Sequence, residues 1–339
     1  MPELPPHNRL GLNYRKVPAR KVIIDGGIID AHNHTRDPAL TQIMVDAANA
    51  YGISSFYTMC PLEHAPALAE KFAGKFKFIA IPDWKSATAS EAFITDWLKR
   101  LDAFAAPPLN SRLIKFHMAP GTQKRWGINL DHPLIQRVAD HAYKLGYHFM
   151  SHFADPKAWF YGTGNYADGS FGSFDSQFAM LERFLEKYPD RIHLGAHMGG
   201  SLENIDALAK RFDKFPHYVV DTSATKWIVR AVAEQSVQAV KDFIIHYQDR
   251  IIFGSDLVVG DKYDWDHYAS RYWVHQKLWE EDYRDQSPID DPDAGKGFDP
   301  ATGTFDAKNS DGVPRLVGLD LPNEVLVKIY RGNALRWLP

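Results

Sequence analysis

Two histidines and an aspartate alternate along one short apolar segment near the start of the chain. Residues 29–34 read Ile-Asp-Ala-His-Asn-His. Residues two apart on a β-strand point to the same face, so Asp30, His32 and His34 would share one face. Two imidazoles about 6–7 Å apart along a strand can reach one metal ion. Alone, the His-x-His spacing is weak evidence, because two polar residues on a loop look the same in sequence.

Three further apolar runs end in a histidine or an aspartate. His152 ends Tyr-His-Phe-Met-Ser-His, His197 ends Ile-His-Leu-Gly-Ala-His, and Asp256 ends Ile-Ile-Phe-Gly-Ser-Asp. Together with the first segment, four separate runs thus deliver nitrogen and oxygen ligands to one rim. Zinc, manganese and iron accept such ligands. The pattern predicts a divalent metal site, with Zn²⁺ as the first choice and Mn²⁺ or Fe²⁺ as alternatives.

Short apolar runs alternate with amphipathic stretches along the whole chain. Near-continuous apolar strands between helices indicate a parallel sheet covered on both faces. Eight such units predict a single (β/α)8 TIM-type barrel, with an open doubly wound sheet as the alternative. Ligands from the first, fifth and eighth strands converge only if the sheet closes, which favours the barrel. The predicted strands are Val22–Asp30, Ile53–Thr58, Phe76–Pro82, Arg112–Phe116, Tyr147–Ser151, Ile192–Gly195, Tyr218–Asp221 and Ile251–Gly254.

Two long segments interrupt this alternation. One follows the fifth run and is rich in glycine and aromatic residues, and the other follows the eighth run and joins a Trp/Tyr-rich stretch to a Gly/Asp/Pro loop. Long loops in a compact domain are usually lids or inserts, and after barrel strands they would cover the catalytic face. We expect an N-terminal arm over residues 1–20, a barrel over residues 21–339 and a closing C-terminal helix.

The composition excludes several classes of protein. The 339 residues are 45% hydrophobic and 24% charged, which is typical of a globular chain with a large core. A net charge of −3 leaves no basic surface for nucleic acid or an anionic membrane. The single cysteine, Cys60, excludes an internal disulfide. A reducing compartment and the lack of an apolar signal region predict a cytoplasmic protein, and no segment has the roughly 20 apolar residues of a membrane span.

Several motifs resemble those of the amidohydrolase superfamily, in its amidohydrolase-related branch. They are DAHNH, LIKFH, MSHF, GAHMGG, FGSD and the terminal LPNEVLVKIYRGNALRWL, so that the resemblance covers nearly the whole chain. The branch includes aminocarboxymuconate-semialdehyde decarboxylase, γ-resorcylate decarboxylase and various lactone and amide hydrolases. The resemblance implies metal ligands at His32, His34, His152 and Asp256. It also implies that His197 lies beside the metal and polarises the substrate.

Lys115 and His117 share the inward face of the fourth run. Binuclear amidohydrolases place a carboxylated lysine there, which bridges two metals, whereas this branch resembles a one-metal arrangement. A lysine at a barrel mouth can instead hold a substrate carboxylate as a point charge, or it can be a buried partner of Asp30 or Asp221. We expect one ion, with Lys115 in the electrostatic role. His117 is a candidate for contact with the substrate or with a metal ligand.

Other cationic and aromatic residues are candidates for substrate contacts. Arg125 with Trp126, and Arg230 after the seventh run, have the charge to bind an anionic substrate. Trp159, in the first long loop, has the surface to line an apolar or aromatic substrate or simply to pack the lid. The Trp/Tyr-rich stretch at 265–279 predicts a contact between two subunits of a homodimer.

The motifs identify the superfamily more specifically than the reaction, and from the inferred site we expect a hydrolase that attacks a lactone, ester or amide carbonyl with metal-activated water. The substrate would be a small carboxylate-bearing or aromatic molecule, Asp256 would act as general base and then acid, and His197 would stabilise the oxyanion. The alternative is non-oxidative decarboxylation of an aromatic or enolic acid. Several hydroxybenzoate decarboxylases carry Glu where this chain has His32, but the muconate-semialdehyde type carries His-x-His. A non-catalytic barrel that only binds a ligand would lack a metal ligand or a base, and none is missing here.

Overall fold

The computed structural model describes residues 4–161, 164–200, 202–294 and 312–339, and the backbone of residues 298–299 and 304–305. Within the Gly/Asp/Pro loop, residues 295–297, 300–303 and 306–311 lie outside these residues. No helix among them is both long enough and apolar enough to span a bilayer.

The main sheet is entirely parallel and closes on itself. The last strand of the barrel is in two parts: β8 pairs with β7, and β9 pairs with β1. Asp256 lies between the two parts and donates its backbone N–H to the carbonyl of His32 at 2.7 Å. The chain therefore forms the predicted (β/α)8 barrel. Its strands are β1 (Ile28–His34), β2 (Ile53–Met59), β3 (Phe76–Ala80), β4 (Leu113–Met118), β5 (His148–Phe153), β6 (His193–Gly195), β7 (Tyr218–Asp221), β8 (Ile251–Ile252) and β9 (Leu257–Val258).

Helices follow the strands and cover the barrel. Six of them begin at a Ser, Asp or Asn whose side chain accepts a backbone N–H of the first turn, the usual role of these residues at that position. These caps are Asp37, Ser90, Ser173, Asn204, Ser236 and Asp264. The helices are α1 (Pro38–Ala50), α2 (Ala65–Lys71), α3 (Glu91–Ala105), α4 (Pro120–Trp126), α5 (Pro133–Lys144), α6 (Phe174–Lys187), α7 (Ala196–Gly199), α8 (Ile205–Lys214), α9 (Thr225–Ala233), α10 (Val237–His246), α11 (Trp265–Glu280), α12 (Asn323–Val327) and α13 (Asn333–Trp337).

The predicted closing helix is present at the C-terminus. A π-helical turn, Lys328–Gly332, joins α12 to α13. Asn333 donates its side-chain amide to the carbonyls of Gln248 and Ile251, at 2.6 and 2.7 Å, and so ties this helix to the start of β8. Two short antiparallel pairs lie outside the barrel sheet. They are β10 (Arg284–Gln286) with β13 (Arg315–Val317), and β11 (Phe298–Asp299) with β12 (Thr304–Phe305).

The first strand begins later than predicted. Residues 22–27 are not in a strand, because Gly26 and Gly27 turn the chain with φ of +74° and +77°. A Cβ on Gly27 would lie 2.6 Å from the Cβ of Ser54, so this turn packs tightly against β2. The shift moves β1 forward to end at His34, which places the whole Asp-x-His-x-His segment within the strand.

The N-terminal arm packs along α11. Gln276 donates to the carbonyls of Pro18 and Ala19 at 3.1 and 3.0 Å. Tyr14 is buried and makes an edge-to-face contact with Trp273, with ring centroids 6.3 Å apart. The aromatic face of α11 is thus largely covered within the chain, and the homodimer that this stretch suggested stays a prediction.

Candidate metal centre

The carboxyl ends of the barrel strands surround one cavity of about 260 Å³. The cavity contains every side chain that the sequence assigned to metal binding or catalysis. The residues that line it are His32, His34, Met59, Trp84, Lys115, His117, His152, His197, Asp256 and Val258.

Left-handed backbone conformations bring two of these side chains to the cavity. His197 has φ of +58° and Asp256 has φ of +59°, a region that residues other than glycine rarely adopt. Such strain is maintained only where the surroundings enforce it, and it is common at functional sites. The N–H of His197 donates to Oδ1 of Asp221 at 3.0 Å, which fixes the turn α7. At Gly200, which also has positive φ, a Cβ would lie 2.3 Å from the carbonyl oxygen of Phe153.

Asp221 sets the proton position on His32. Nδ1 of His32 lies 2.8 Å from Oδ2 of Asp221, and both side chains are buried. Burial acts to raise the pKa of Asp221, but the charges of His32 and Lys115 and the hydrogen bonds of His32 and Ser223 outweigh it and lower the pKa. The carboxylate is therefore an acceptor and His32 donates from Nδ1, so that in the neutral form of His32 the lone pair lies on Nε2.

That lone pair faces a carboxylate, which shows that the residues present fit a cation. Nε2 of His32 and Nε2 of His34 each lie 3.2 Å from Oδ1 of Asp256. A lone pair and a carboxylate oxygen repel each other at this distance unless a cation or proton lies between them. Imidazole nitrogen and carboxylate oxygen are the donor set that Zn²⁺ and its neighbours accept.

His197 belongs to a group of three side chains whose possible ligand atoms lie close to one another. One nitrogen of His32, one nitrogen of His197 and one oxygen of Asp256 all lie within 4.8 Å of one another. His152 is next to this group, with Nδ1 3.3 Å from Nε2 of His197. Its Nε2 is bound to Oδ1 of Asp155 at 2.8 Å, so Nδ1 is the atom available to a metal. The geometry thus places His197 beside the four residues that the resemblance implied as ligands.

Lys115 is an unpaired cation in the cavity wall. It is 3% exposed, and its Nζ has no hydrogen-bond partner among the described residues. Burial lowers the pKa of Lys115 to about 8, although the charges of Asp221 and Asp256 act in the opposite direction. Asp30 is bound instead by Ser255 and Tyr272, at 2.6 and 3.1 Å. The hydrogen-bonded pairing of Lys115 with Asp30 or Asp221 is therefore not formed.

Aromatic rings form one wall of the cavity. Trp84, which the sequence reasoning did not identify, stacks on Trp126 with ring centroids 5.0 Å apart and an interplanar angle of 15°. His117 contacts Trp84 edge to face at 5.9 Å. Trp84 lies just past the carboxyl end of β3. This position could have identified Trp84 in the sequence, because the residues on the catalytic face of a barrel follow its strands. Trp126 is buried behind Trp84 and supports it.

Four of the five predicted substrate contacts, Trp126 among them, are not in the cavity lining. Arg125 is exposed on α4, whose inward position is taken by Trp126. Arg230 is buried on α9, where it forms an ion pair with Asp291. Trp159 donates its indole N–H to Asp293 at 3.2 Å and packs edge to face on Trp227.

Comparisons with known proteins agree with this architecture. A family model described as Amidohydrolase matches residues 29–339. No curated protein matches the chain significantly. A 2,6-dihydroxybenzoate decarboxylase from Rhizobium is 14% identical, over 92% of this chain and 98% of its own, with a TM-score of 0.50. A 5-carboxyvanillate decarboxylase from Novosphingobium aromaticivorans, solved with manganese and 4-hydroxy-3-methoxy-5-nitrobenzoic acid, is 12% identical over 91% and 95%, with a TM-score of 0.52. At these identities the similarity shows a shared fold.

Proposed function

Because the chain belongs to the amidohydrolase family, we propose that it is a metal-dependent hydrolase of a lactone, ester or amide. The substrate is a small molecule that bears a carboxylate or an aromatic ring. The observation that carries the proposal is the convergence of His32 Nε2 and His34 Nε2 on Oδ1 of Asp256, each at 3.2 Å. This is a cation-binding arrangement beside a carboxylate that can accept a proton.

His32, His34, His152 and Asp256 would hold one divalent ion, with Zn²⁺ as the first choice and Mn²⁺ or Fe²⁺ as alternatives. Such an ion, when bound, acts as a Lewis acid that lowers the pKa of water and polarises a carbonyl oxygen. The protein contributes the ligand geometry and a cavity wall in which His32 is 1% exposed and Lys115 is 3% exposed.

Asp256 moves the proton in this proposal. Its side chain is 28% exposed and lines the cavity, so water and substrate can reach it. The carboxylate accepts a proton from the attacking water and passes it to the leaving group. General base and acid catalysis of this kind contributes about 10²–10⁴-fold to a rate.

Lys115 and Trp84 orient the substrate. The ammonium of Lys115 has no protein partner among the described residues and is available to an anionic group. The face of Trp84 provides a flat apolar surface on the same cavity. The proposed substrate therefore places its carboxylate at Lys115 and its planar part against Trp84.

Decarboxylation is the second candidate, and the same two residues favour it. An unpaired lysine and a tryptophan wall also suit an aromatic acid, and both compared structures are named as decarboxylases of such acids. In that reaction the ring carbon takes a proton before carbon dioxide leaves.

A substrate panel separates the two reactions. Zinc-loaded enzyme is incubated with lactones, amides, aryl esters and hydroxybenzoates, and both hydrolysis and carbon dioxide release are measured. We expect hydrolysis in at least one of the first three classes and its loss in Asp256→Asn. Carbon dioxide release without hydrolysis would overturn the hydrolase proposal. A zinc-loaded protein that turns over none of them would favour a non-catalytic barrel.

We also propose that the protein is cytoplasmic and forms a homodimer with no nucleic-acid or membrane partner. The balanced charge of −3 supports the lack of an anionic partner. Light scattering of the purified chain tests the dimer, and a monomeric mass would contradict it.

A further inference from the structure

Ser223 contacts the imidazole rings of both His32 and His197. Its Oγ lies 2.9 Å from Nδ1 of His32 and 2.7 Å from Nδ1 of His197, and it hydrogen-bonds Oδ1 of Asp221. We propose that Ser223 is a positioning residue that holds His197 in the Nδ1–H tautomer, so that Nε2 of His197 is a metal ligand. This inference rests on the proposed metal-dependent function.

The hydroxyl of Ser223 has one proton, and the surrounding acceptors decide where it goes. Oδ1 of Asp221 also accepts the backbone N–H groups of His197 and Ser223, each at 3.0 Å, and Oδ2 faces Nδ1 of His32 at 2.8 Å, so this carboxylate acts as an acceptor. A carboxylate has no proton to donate, so Ser223 must donate to Asp221. The oxygen of Ser223 is then left with lone pairs only.

The single proton of the Ser223 hydroxyl determines which ring nitrogen of His197 carries a proton. Nδ1 of His197 faces the lone pairs of Ser223 Oγ at 2.7 Å, so Nδ1 must be the donor. A neutral imidazole that carries its proton on Nδ1 has its lone pair on Nε2. One nitrogen of His197 lies within 4.8 Å of ligand atoms of His32 and Asp256, and Nε2 is the nitrogen free for that role.

This tautomer assigns His197 a different role from the one that the resemblance implied. A histidine that stabilises an oxyanion directly needs an N–H directed at the substrate oxygen. The hydrogen bonds of Ser223 place that N–H on the opposite side of the ring. His197 would therefore contribute a ligand nitrogen, and its N–H would not be directed at the substrate oxygen.

The surroundings prevent the ring of His197 from turning over. It stacks on the ring of His32 with centroids 5.0 Å apart, and Trp227 packs edge to face against it at 5.3 Å. Asp221 also holds the backbone of His197 in its left-handed conformation. One carboxylate and one hydroxyl thus position both the backbone and the ring.

Three variants test the role of the hydroxyl. Ser223→Ala removes it, Ser223→Thr keeps it, and Thr225→Val is the matched control. Thr225 is also buried and also bonds a histidine, with Oγ1 3.1 Å from Nε2 of His275, but it does not line the metal cavity. Zinc affinity is measured by competition with a chromophoric chelator, and circular dichroism confirms folding. We expect Ser223→Ala to lose about 10–100-fold in zinc affinity, the usual effect of removing a group that orients a ligand. Ser223→Thr and Thr225→Val should stay close to wild type.

A second measurement does not depend on metal binding. In metal-free protein with ¹⁵N-labelled histidine, the His197 signals are assigned by their loss in His197→Gln. We expect a protonated Nδ1 and an unprotonated Nε2 in the wild type, and altered shifts in Ser223→Ala. A proton on Nε2 alone, or wild-type zinc affinity in folded Ser223→Ala, would overturn the inference. If the wild type bound no divalent ion, the proposed function would fail as well, while the ¹⁵N spectrum would still decide the tautomer.

Discussion

Lys115 is the residue whose chemistry depends most on its environment. It projects from β4 into the cavity with no protein partner among the described residues, and burial lowers its pKa to about 8. A lysine is charged below its pKa, so its attraction for an anion is present at neutral pH and is lost as the pH rises through about 8. The alternation of residues along the fourth run predicted that the side chain of Lys115 points into the barrel. The sequence could not predict that Lys115 lacks a partner among the described residues. This depends on Ser255 and Tyr272, which hydrogen-bond Asp30 instead.

The first prediction concerns the pH dependence of substrate binding. For the best carboxylate-bearing substrate of the panel, we expect KM to be constant from about pH 6.5 to 7.5 and to rise above pH 8. Lys115→Met should show a raised KM that no longer changes over this range. Steady-state kinetics from pH 6.5 to 9.5 checks the prediction, and an unchanged KM profile in Lys115→Met would refute it.

The second prediction concerns the aromatic wall. Trp84→Leu should raise KM for a planar substrate by about two- to tenfold with little change in kcat, because an aromatic contact contributes about 0.5–1.5 kcal/mol beyond its buried area. Trp265→Leu, which removes a tryptophan near Arg15 and outside the cavity lining, is the control. Equal effects of the two variants on KM would show that Trp84 does not contact the substrate.

At the scale of elements, the sequence predicted the strands better than their ends. The eighth run reads as one strand from Ile251 to Gly254, but β8 ends at Ile252, and β9 adds a second short piece beyond the predicted strand. Ser255 donates its backbone N–H and its hydroxyl to Asp30, which pulls the chain out of the ladder and leaves Asp256 with φ of +59°. Such a break depends on contacts between residues more than 200 positions apart, so local periodicity could not reveal it.

The turn after β6 gives the third prediction. Gly200→Ala should lower the free energy of unfolding by at least about 1–3 kcal/mol, the range for a residue other than glycine held in an unfavourable backbone region. The added Cβ would also collide with the carbonyl of Phe153. Gly52→Ala is the control, because Gly52 also has positive φ, of +77°, but no heavy atom lies within 4 Å of the position that an added Cβ would take there. Urea denaturation of both variants is the measurement, and an equal loss of stability would mean that the collision is relieved at no cost.

At the scale of the whole molecule, closure of the sheet is what creates the site. β9 pairs with β1, and this pairing brings Asp256 to His32 and His34. The ligand pattern predicted this closure correctly, since ligands from the first and eighth strands can meet only in a barrel. The family match begins at residue 29, and the arm before it packs on α11. Helix and loop packing place Arg125, Arg230 and Trp159 outside the cavity lining, and their contacts with a substrate stay a prediction.

The measurement that tests the proposed metal centre most directly is the number of zinc ions bound per chain. It is determined by titration of metal-free protein and by elemental analysis, for the wild type, for Asp256→Ala and for Lys115→Met. We predict one ion per chain in the wild type and in Lys115→Met, and a large loss of affinity in folded Asp256→Ala. Two ions in the wild type with loss of one in Lys115→Met would replace the single centre by a lysine-bridged pair. A folded wild-type chain that takes up no divalent ion would contradict the proposed centre altogether.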